Sequence, residues 1–239
     1  MGKKSLVINY SRAAEYLDKV SDPELSTHFS QSLSGVFSAD LVNEWRKDHT
    51  FSGLMFWFCF GQCGQMANDV LYLAMEPRFG FSYPKSDSSL ARGLIPSSAK
   101  LYLPLNIQGA RLDTRNGQVV LEQQQGSTAA QHTLENNSDV LRKMHCFLGK
   151  PEFWKFNAYG HGYFESKDEK NDYFEELLGN GNGNPTFFRY YFGFDPNELQ
   201  NKIRMFLVPM NSDGTNRVVT PTMPSPQLLQ KSWPPPPYS

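Results

Sequence analysis

Gly53-Leu54-Met55-Phe56-Trp57-Phe58-Cys59-Phe60-Gly61 is short, aromatic and bounded by glycines. Those features favour a strand over a helix. A polar turn follows from Gln62 to Asn68, and Val70 to Met75 reads as a second strand stopped by Pro77. Two strands joined by a loop of this size are most simply an antiparallel hairpin. Upstream, Ser38-Ala39-Asp40 offers an N-cap to a short amphipathic helix carrying Leu41, Val42 and Trp45.

The same order returns later in the chain. Slid without a gap, residues 40–77 lie on 172–209, and Asp40, Glu44, Phe56, Phe60, Gly61 and Pro77 meet identical residues. The apolar pattern repeats with them. Phe56, Phe58 and Phe60 share one strand face, as do Phe188, Tyr190 and Phe192. Leu71, Leu73 and Met75 correspond to Ile203, Met205 and Leu207, whereas Trp57 and Tyr72 become Arg189 and Arg204. One face is thus apolar in both copies and the other varies, as in a sheet with helices on one face and the other partly free. The expected fold class is α+β: two related helix plus antiparallel β-hairpin units, helices on one face of the sheet or sheets, and a Pro-rich C-terminal tail.

The divisions that follow are a first helix–hairpin unit at 1–77, an irregular insertion or linker at 78–132, a second unit at 133–217 and a tail at 218–239. Residues 10–20 have helical spacing, and Ser21 with Glu24 fits a second helix start. Within the insertion, Leu101 to Ile107 is apolar but broken by Pro104, and Asn116-Gly117 predicts a small hairpin. Residues 122–132 read as a mobile connection. A helix is expected over 135–148 with Gly149 as its stop, and Ser166-Lys167-Asp168-Glu169 as a capping box for a helix carrying Tyr173, Phe174, Leu177 and Leu178.

The second unit, with Tyr191-Phe192-Gly193 closing one strand and Leu207-Val208-Pro209 the next, resembles small uncharacterised cytosolic bacterial proteins. The resemblance covers only the matched stretches and rests on packing residues. It implies no activity, and no catalytic residue is carried over.

At 239 residues the chain is long enough to bury a core without a disulfide or metal. Its formal net charge of −1 gives no electrostatic case for nucleic acid or an anionic membrane. Three cysteines argue against a disulfide framework and for a reducing compartment. The apolar run Leu54–Phe60 is far below the roughly 20 residues of a membrane helix. The start, Met1 to Tyr10, has too short an apolar stretch for a signal-peptide core. A cytoplasmic protein without cofactor is expected.

Candidate sites are few. Cys59 and Cys63 have half of a zinc-site spacing, but Cys59 sits in an aromatic strand; a core thiol and a loop thiol is the simpler reading. His145-Cys146 point about 100° apart on a helix and cannot face each other. Tyr159-Gly160-His161-Gly162-Tyr163 presents a histidine between glycines, flexible and reachable, with Glu165 and Asp195 as weak catalytic companions. The asparagine–glycine run 179–184 lacks the Lys-Ser/Thr of a phosphate loop. In the tail, Trp233, Pro235, Pro236 and Tyr238 carry a Pro-Pro-x-Tyr pattern, a polyproline ligand or a strap packed back on the sheet.

These features favour a non-enzymatic binding or assembly protein with a protein partner or self-association. An enzyme of unrecognised class with a site between the units around His161 is the second reading. A small-molecule sensor with an aromatic pocket lined by Trp57 and Tyr72 is the third.

Overall fold

Backbone amides must be paired once buried, so the two aromatic hairpins set the architecture by recruiting neighbours. The computed structural model describes residues 7–8, 10–21, 32–64, 67–84, 93–108, 112–115, 118–121, 131–154, 159–167, 172–178, 185–195, 197, 203–217 and 228–230. The first half contains β1 (Val7–Ile8), α1 (Tyr10–Asp18), β2 (Ser34–Ser38), α2 (Ala39–Trp45), β3 (Phe51–Gly61) and β4 (Val70–Phe79). Then come β5 (Lys100–Tyr102), β6 (Ile107–Gln108), β7 (Leu112–Arg115), β8 (Gln118–Leu121) and β9 (Leu134–Asn136). The remainder contains α3 (Asn137–Leu148), α4 (Pro151–Trp154), β10 (His161–Glu165), α5 (Tyr173–Leu178), β11 (Phe187–Phe194), β12 (Ile203–Met210) and β13 (Leu228–Gln230).

The fold is α+β with two principal antiparallel sheets. Sheet A runs β1-β13-β12-β11-β2-β6, sheet B runs β10-β3-β4-β5-β9, and β7 with β8 forms a separate hairpin. Each hairpin takes its third strand from the other half of the chain. β2, which precedes α2 and the β3–β4 hairpin, pairs instead with β11, Phe37 opposite Phe188. β10, which precedes α5 and the β11–β12 hairpin, pairs with β3, Gly162 opposite Phe56. Each sheet therefore draws strands from both the 1–77 and 133–217 stretches.

The shared aromatic faces pack on each other. Phe56, Phe58, Leu71, Leu73 and Met75 of sheet B join Phe188, Tyr190, Phe192, Ile203, Met205 and Leu207 of sheet A in one core. Phe58 and Phe192 approach with ring centroids 5.5 Å apart, and the Tyr190 hydroxyl accepts the Leu73 amide at 3.3 Å. The expectation that helices cover these faces holds only in part: Val42 of α2 and Phe174, Leu177 and Leu178 of α5 contribute, but the opposite sheet supplies most of the cover. The variable faces are not free either. Tyr191, Phe206 and Val208 lie under Ala13, Tyr16 and Leu17 of α1, while Met55, Trp57, Cys59 and Tyr72 lie with Val140 and Met144 of α3. A sheet buried on both sides needs near-continuous apolar strands, which explains the unbroken runs in β3 and β11.

The two hairpins share faces but not register. Phe56 pairs with Met75, whereas the aligned Phe188 pairs with Pro209. The difference is two residues, which leaves every side chain on its original face. Pro77 does not end its strand; β4 continues to Phe79. Phe58 gives its amide to Gly160 on the β10 side, so by alternation the position opposite Leu54 turns its nitrogen away from β3. A proline there removes no bond from the β3–β4 ladder.

The insertion does structural work. Lys100–Tyr102 joins sheet B and Ile107–Gln108 joins sheet A, so the chain crosses between sheets near Pro104. Leu105 donates to Val36 at 2.8 Å and Val36 to Asn106 at 3.0 Å. The hairpin expected at Asn116-Gly117 forms, with Arg115 opposite Gln118. Leu228–Gln230 pairs with both β12 and β1, so part of the 218–239 stretch is a strand of sheet A. Trp233, Pro235, Pro236 and Tyr238, and the helix start at Ser21-Glu24 beyond its first residue, lie outside the described residues. No helix among the described residues is long and apolar enough to cross a membrane.

Candidate functional site

His161 opens β10 and is completely buried, not reachable between mobile glycines. The Tyr159 carbonyl, 3.0 Å from Nδ1, can only accept, so Nδ1 carries the proton. Nε2 then accepts from the Tyr83 hydroxyl at 3.0 Å. Trp57, Tyr83 and Tyr159 enclose the ring, with centroids 5.3, 5.9 and 6.2 Å away. Burial, assisted by the Arg78 charge and opposed by the Tyr159 carbonyl, pushes its pKa down to about 4. The flanking Gly160 serves close packing: with φ at 70°, a Cβ there would meet Met144 Cγ at 3.2 Å.

The expected companions do not converge on this imidazole. Glu165 lies four residues along the same strand, about 13 Å away at strand rise. Asp195 follows β11 in the other sheet, accepting the Asn197 amide at 3.1 Å and lying 3.9 Å from the Arg204 guanidinium. Trp57 and Tyr72 share the outer face of sheet B, but both are fully buried. Cys59 and Cys63 pack beside them, and desolvation raises both thiols, Cys63 to about 12. Protonated thiols are poor nucleophiles and poor metal ligands. Among the described residues no group of three His, Cys, Asp or Glu side chains could hold a metal ion.

Sequence reasoning missed the polar group that organises this face. Glu76 is fully buried; Oε2 accepts Trp57 Nε1–H at 2.9 Å and lies 3.0 Å from Arg78 Nη2. Oε1 accepts the amides of Ser97 and Ser98, both at 2.9 Å, and their hydroxyls at 2.7 and 3.0 Å. Arg78 also reaches the Ile95 carbonyl at 3.0 Å and lies 5.1 Å from the Phe81 ring centre. So many donors fill the carboxylate's acceptor positions, making it an anchor for the 95–98 loop. The available signal was a pair of opposite charges bracketing Pro77 in an otherwise apolar strand.

A cleft of about 290 Å³ lies between the end of α2, the start of β3 and the start of α5. Its Arg46 and Asp172 pair at 3.0 Å, and Asp172 also accepts the Glu175 amide at 2.8 Å, capping α5. The cap is thus Asp172, not Ser166, whose hydroxyl bonds the Phe51 carbonyl.

The exposed apolar surface lies elsewhere. Phe79, Ile95 and Leu134 are the exposed large apolar side chains among the described residues. Leu134, 45% exposed, sits on edge strand β9 opposite Tyr102, whose ring meets Trp45 edge-on at 5.2 Å. Leu103 donates to Thr133 and Asn137 to Ala99. Alternation therefore turns the N–H and C=O of Leu134 away from β5, toward the side of β9 on which no strand pairs among the described residues. Behind Tyr102, His132 stacks on Phe37 with centroids 5.5 Å apart, so an aromatic row runs from the core to this rim. Comparison with protein-family models, with curated proteins and with solved structures finds no match for the chain.

Proposed function

We propose that the chain is a non-enzymatic binding or assembly protein built from a duplicated unit. The repeated order strand–helix–hairpin, in which each leading strand completes the other unit's sheet, supports the duplication. The aromatic faces matched in sequence are also the faces that meet between the sheets.

The contact surface is the rim of β9, and its occupant is a second copy of the chain. The observation that carries this is Leu134, exposed on an edge strand with its peptide N–H and C=O turned outward and with Tyr102 and Trp45 beside it. An antiparallel edge is self-complementary: a two-fold axis at Leu134 lets two copies exchange both hydrogen bonds and bury both leucines. Such a short edge forms a small interface, so association is weak, in the micromolar range or above. Sedimentation at about 100 µM, within that weak-binding range, should find dimers that dissociate on dilution. Leu134→Asp should be monomeric with an unchanged circular dichroism spectrum. A wild-type chain that stays monomeric at that concentration sinks the reading.

A further inference from the structure

His132 ends the stretch 122–132 whose sequence reads as a mobile connection, yet it joins the two sheets. Its Nδ1 lies 2.6 Å from the Leu103 carbonyl, just beyond β5 of sheet B. Its Nε2 accepts the amide of Ser38 at 3.1 Å, at the junction of β2 in sheet A with α2. A carbonyl can only accept, so Nδ1 carries the hydrogen and Nε2 offers its lone pair to Ser38. The ring itself is wedged between Phe37 of sheet A and Tyr102 of sheet B. Both of its polar bonds and both of its ring contacts therefore bridge the sheets.

We propose that His132 is a proton-operated latch: uptake of a proton at Nε2 releases residues 131–136 from the β2–α2 junction and opens the rim at Tyr102. The neutral imidazole is required at this place. A protonated Nε2 would point a hydrogen at the Ser38 amide hydrogen, and two donors cannot share one bond. The cation would also rest against Phe37 in a half-buried site where, among the described residues, no carboxylate bonds the ring. Among the described residues, the titratable side chain that the ring touches is the Tyr102 phenol.

The other charged groups on the surrounding elements are engaged or turned to solvent. Asp40 on α2 and Lys100 on β5 are exposed, Glu44 pairs with Lys47, and Glu135 on β9 pairs with Lys143. Burial alone holds the imidazole below the ordinary histidine range, with the Leu103 carbonyl opposing it. The site is half-buried, so protons reach it without prior unfolding. The latch operates whether or not β9 pairs with a second copy.

Hydrogen-exchange protection factors, corrected for intrinsic rates, test this at pH 7.5 and pH 5. The amides of Ser38, Leu103 and Glu135, which are bonded to His132 or across the β5–β9 ladder, should lose protection by about tenfold or more in acid, a change equivalent to one unit of proton linkage, while Phe58 and Phe192 keep theirs. In His132→Gln, which keeps an acceptor and a donor but cannot titrate, the loss should vanish. A proton NMR titration of the wild-type imidazoles, with the exposed His49 and His145 as references, gives a reading that needs no variant. The latch is overturned by any of three results: the wild-type protection is the same at both pH values; His132→Gln opens to the same extent; or the His132 resonance stays that of neutral imidazole until the whole chain unfolds.

Discussion

At the scale of single residues, His161 and the buried charges Glu76 and Arg78 serve the structure. His161 was the residue that the sequence marks as reachable, because glycine on both sides usually means a loose loop. In the fold Gly160 admits close neighbours, and both ring nitrogens hold the chain together. Its folded-state pKa, pushed down to about 4, lies below the 6.5 of a free histidine. The unfolded chain therefore binds the proton first, so the stabilisation is complete above about pH 6.5 and is lost as pH falls toward 4. The difference corresponds to about 3 kcal/mol at one buried site. Urea unfolding of the wild type should weaken steadily across that window, and His161→Gln should show a shallower fall. Equal slopes would remove His161 from the acid response. Glu76 and Arg78 follow the same logic of internal use. A buried carboxylate with this many donors is an anchor, and nothing local in Glu76-Pro77-Arg78 tells a reader that Ser97 and Ser98 will supply four of them.

At the scale of elements, most strands and helices were legible and their partners were not. The aromatic runs do form the long hairpins, and Ser38 does cap α2, accepting the Asp40 amide at 3.2 Å. α3 stops at Gly149 as its sequence predicts. These are local signals: periodicity, a capping side chain, a glycine stop. Strand exchange is not local. Ser34–Ser38 is as short as many helix-flanking turns, and pairing with β11, more than a hundred residues away, and with β6 makes it a strand. The two-residue register difference between the hairpins is likewise silent in the sequence, since it moves no side chain to the other face. One element carries a sharp constraint of its own. β3 bulges between Phe51 and Gly53, and a Cβ on Gly53, at φ of 151°, would sit 2.1 Å from the Phe164 carbonyl. Gly53→Ala should cost about 2 kcal/mol or more, through strain and loss of the β10 pairing. A thermal melt within a degree of wild type would show that the bulge relaxes freely.

At the scale of the whole molecule, the chain is two sheets packed face to face, with α1 on one outer side and α3 on the other. The apolar faces aligned in the sequence are the ones that meet, whereas the sequence suggested helices as their cover because one helix precedes each hairpin. Aromatic residues on both faces of both hairpins decide otherwise: such strands need cover on two sides, and only a second sheet together with outer helices supplies it. The proposed contact surface was the least legible part, because Trp45, Tyr102 and Leu134 come from three separate stretches, one of them inside the expected linker. If β9 pairs with β9 of a second copy about a two-fold axis at Leu134, the two Cα atoms lie about 5.5 Å apart, within disulfide range. The most direct measurement is therefore oxidative cross-linking of Leu134→Cys in a Cys146→Ser background. A disulfide-linked dimer forming rapidly at micromolar concentration, with the native circular dichroism spectrum, is the predicted result. A chain that remains monomeric under oxidation, or cross-links no faster than a cysteine placed at exposed Asp40, would contradict it.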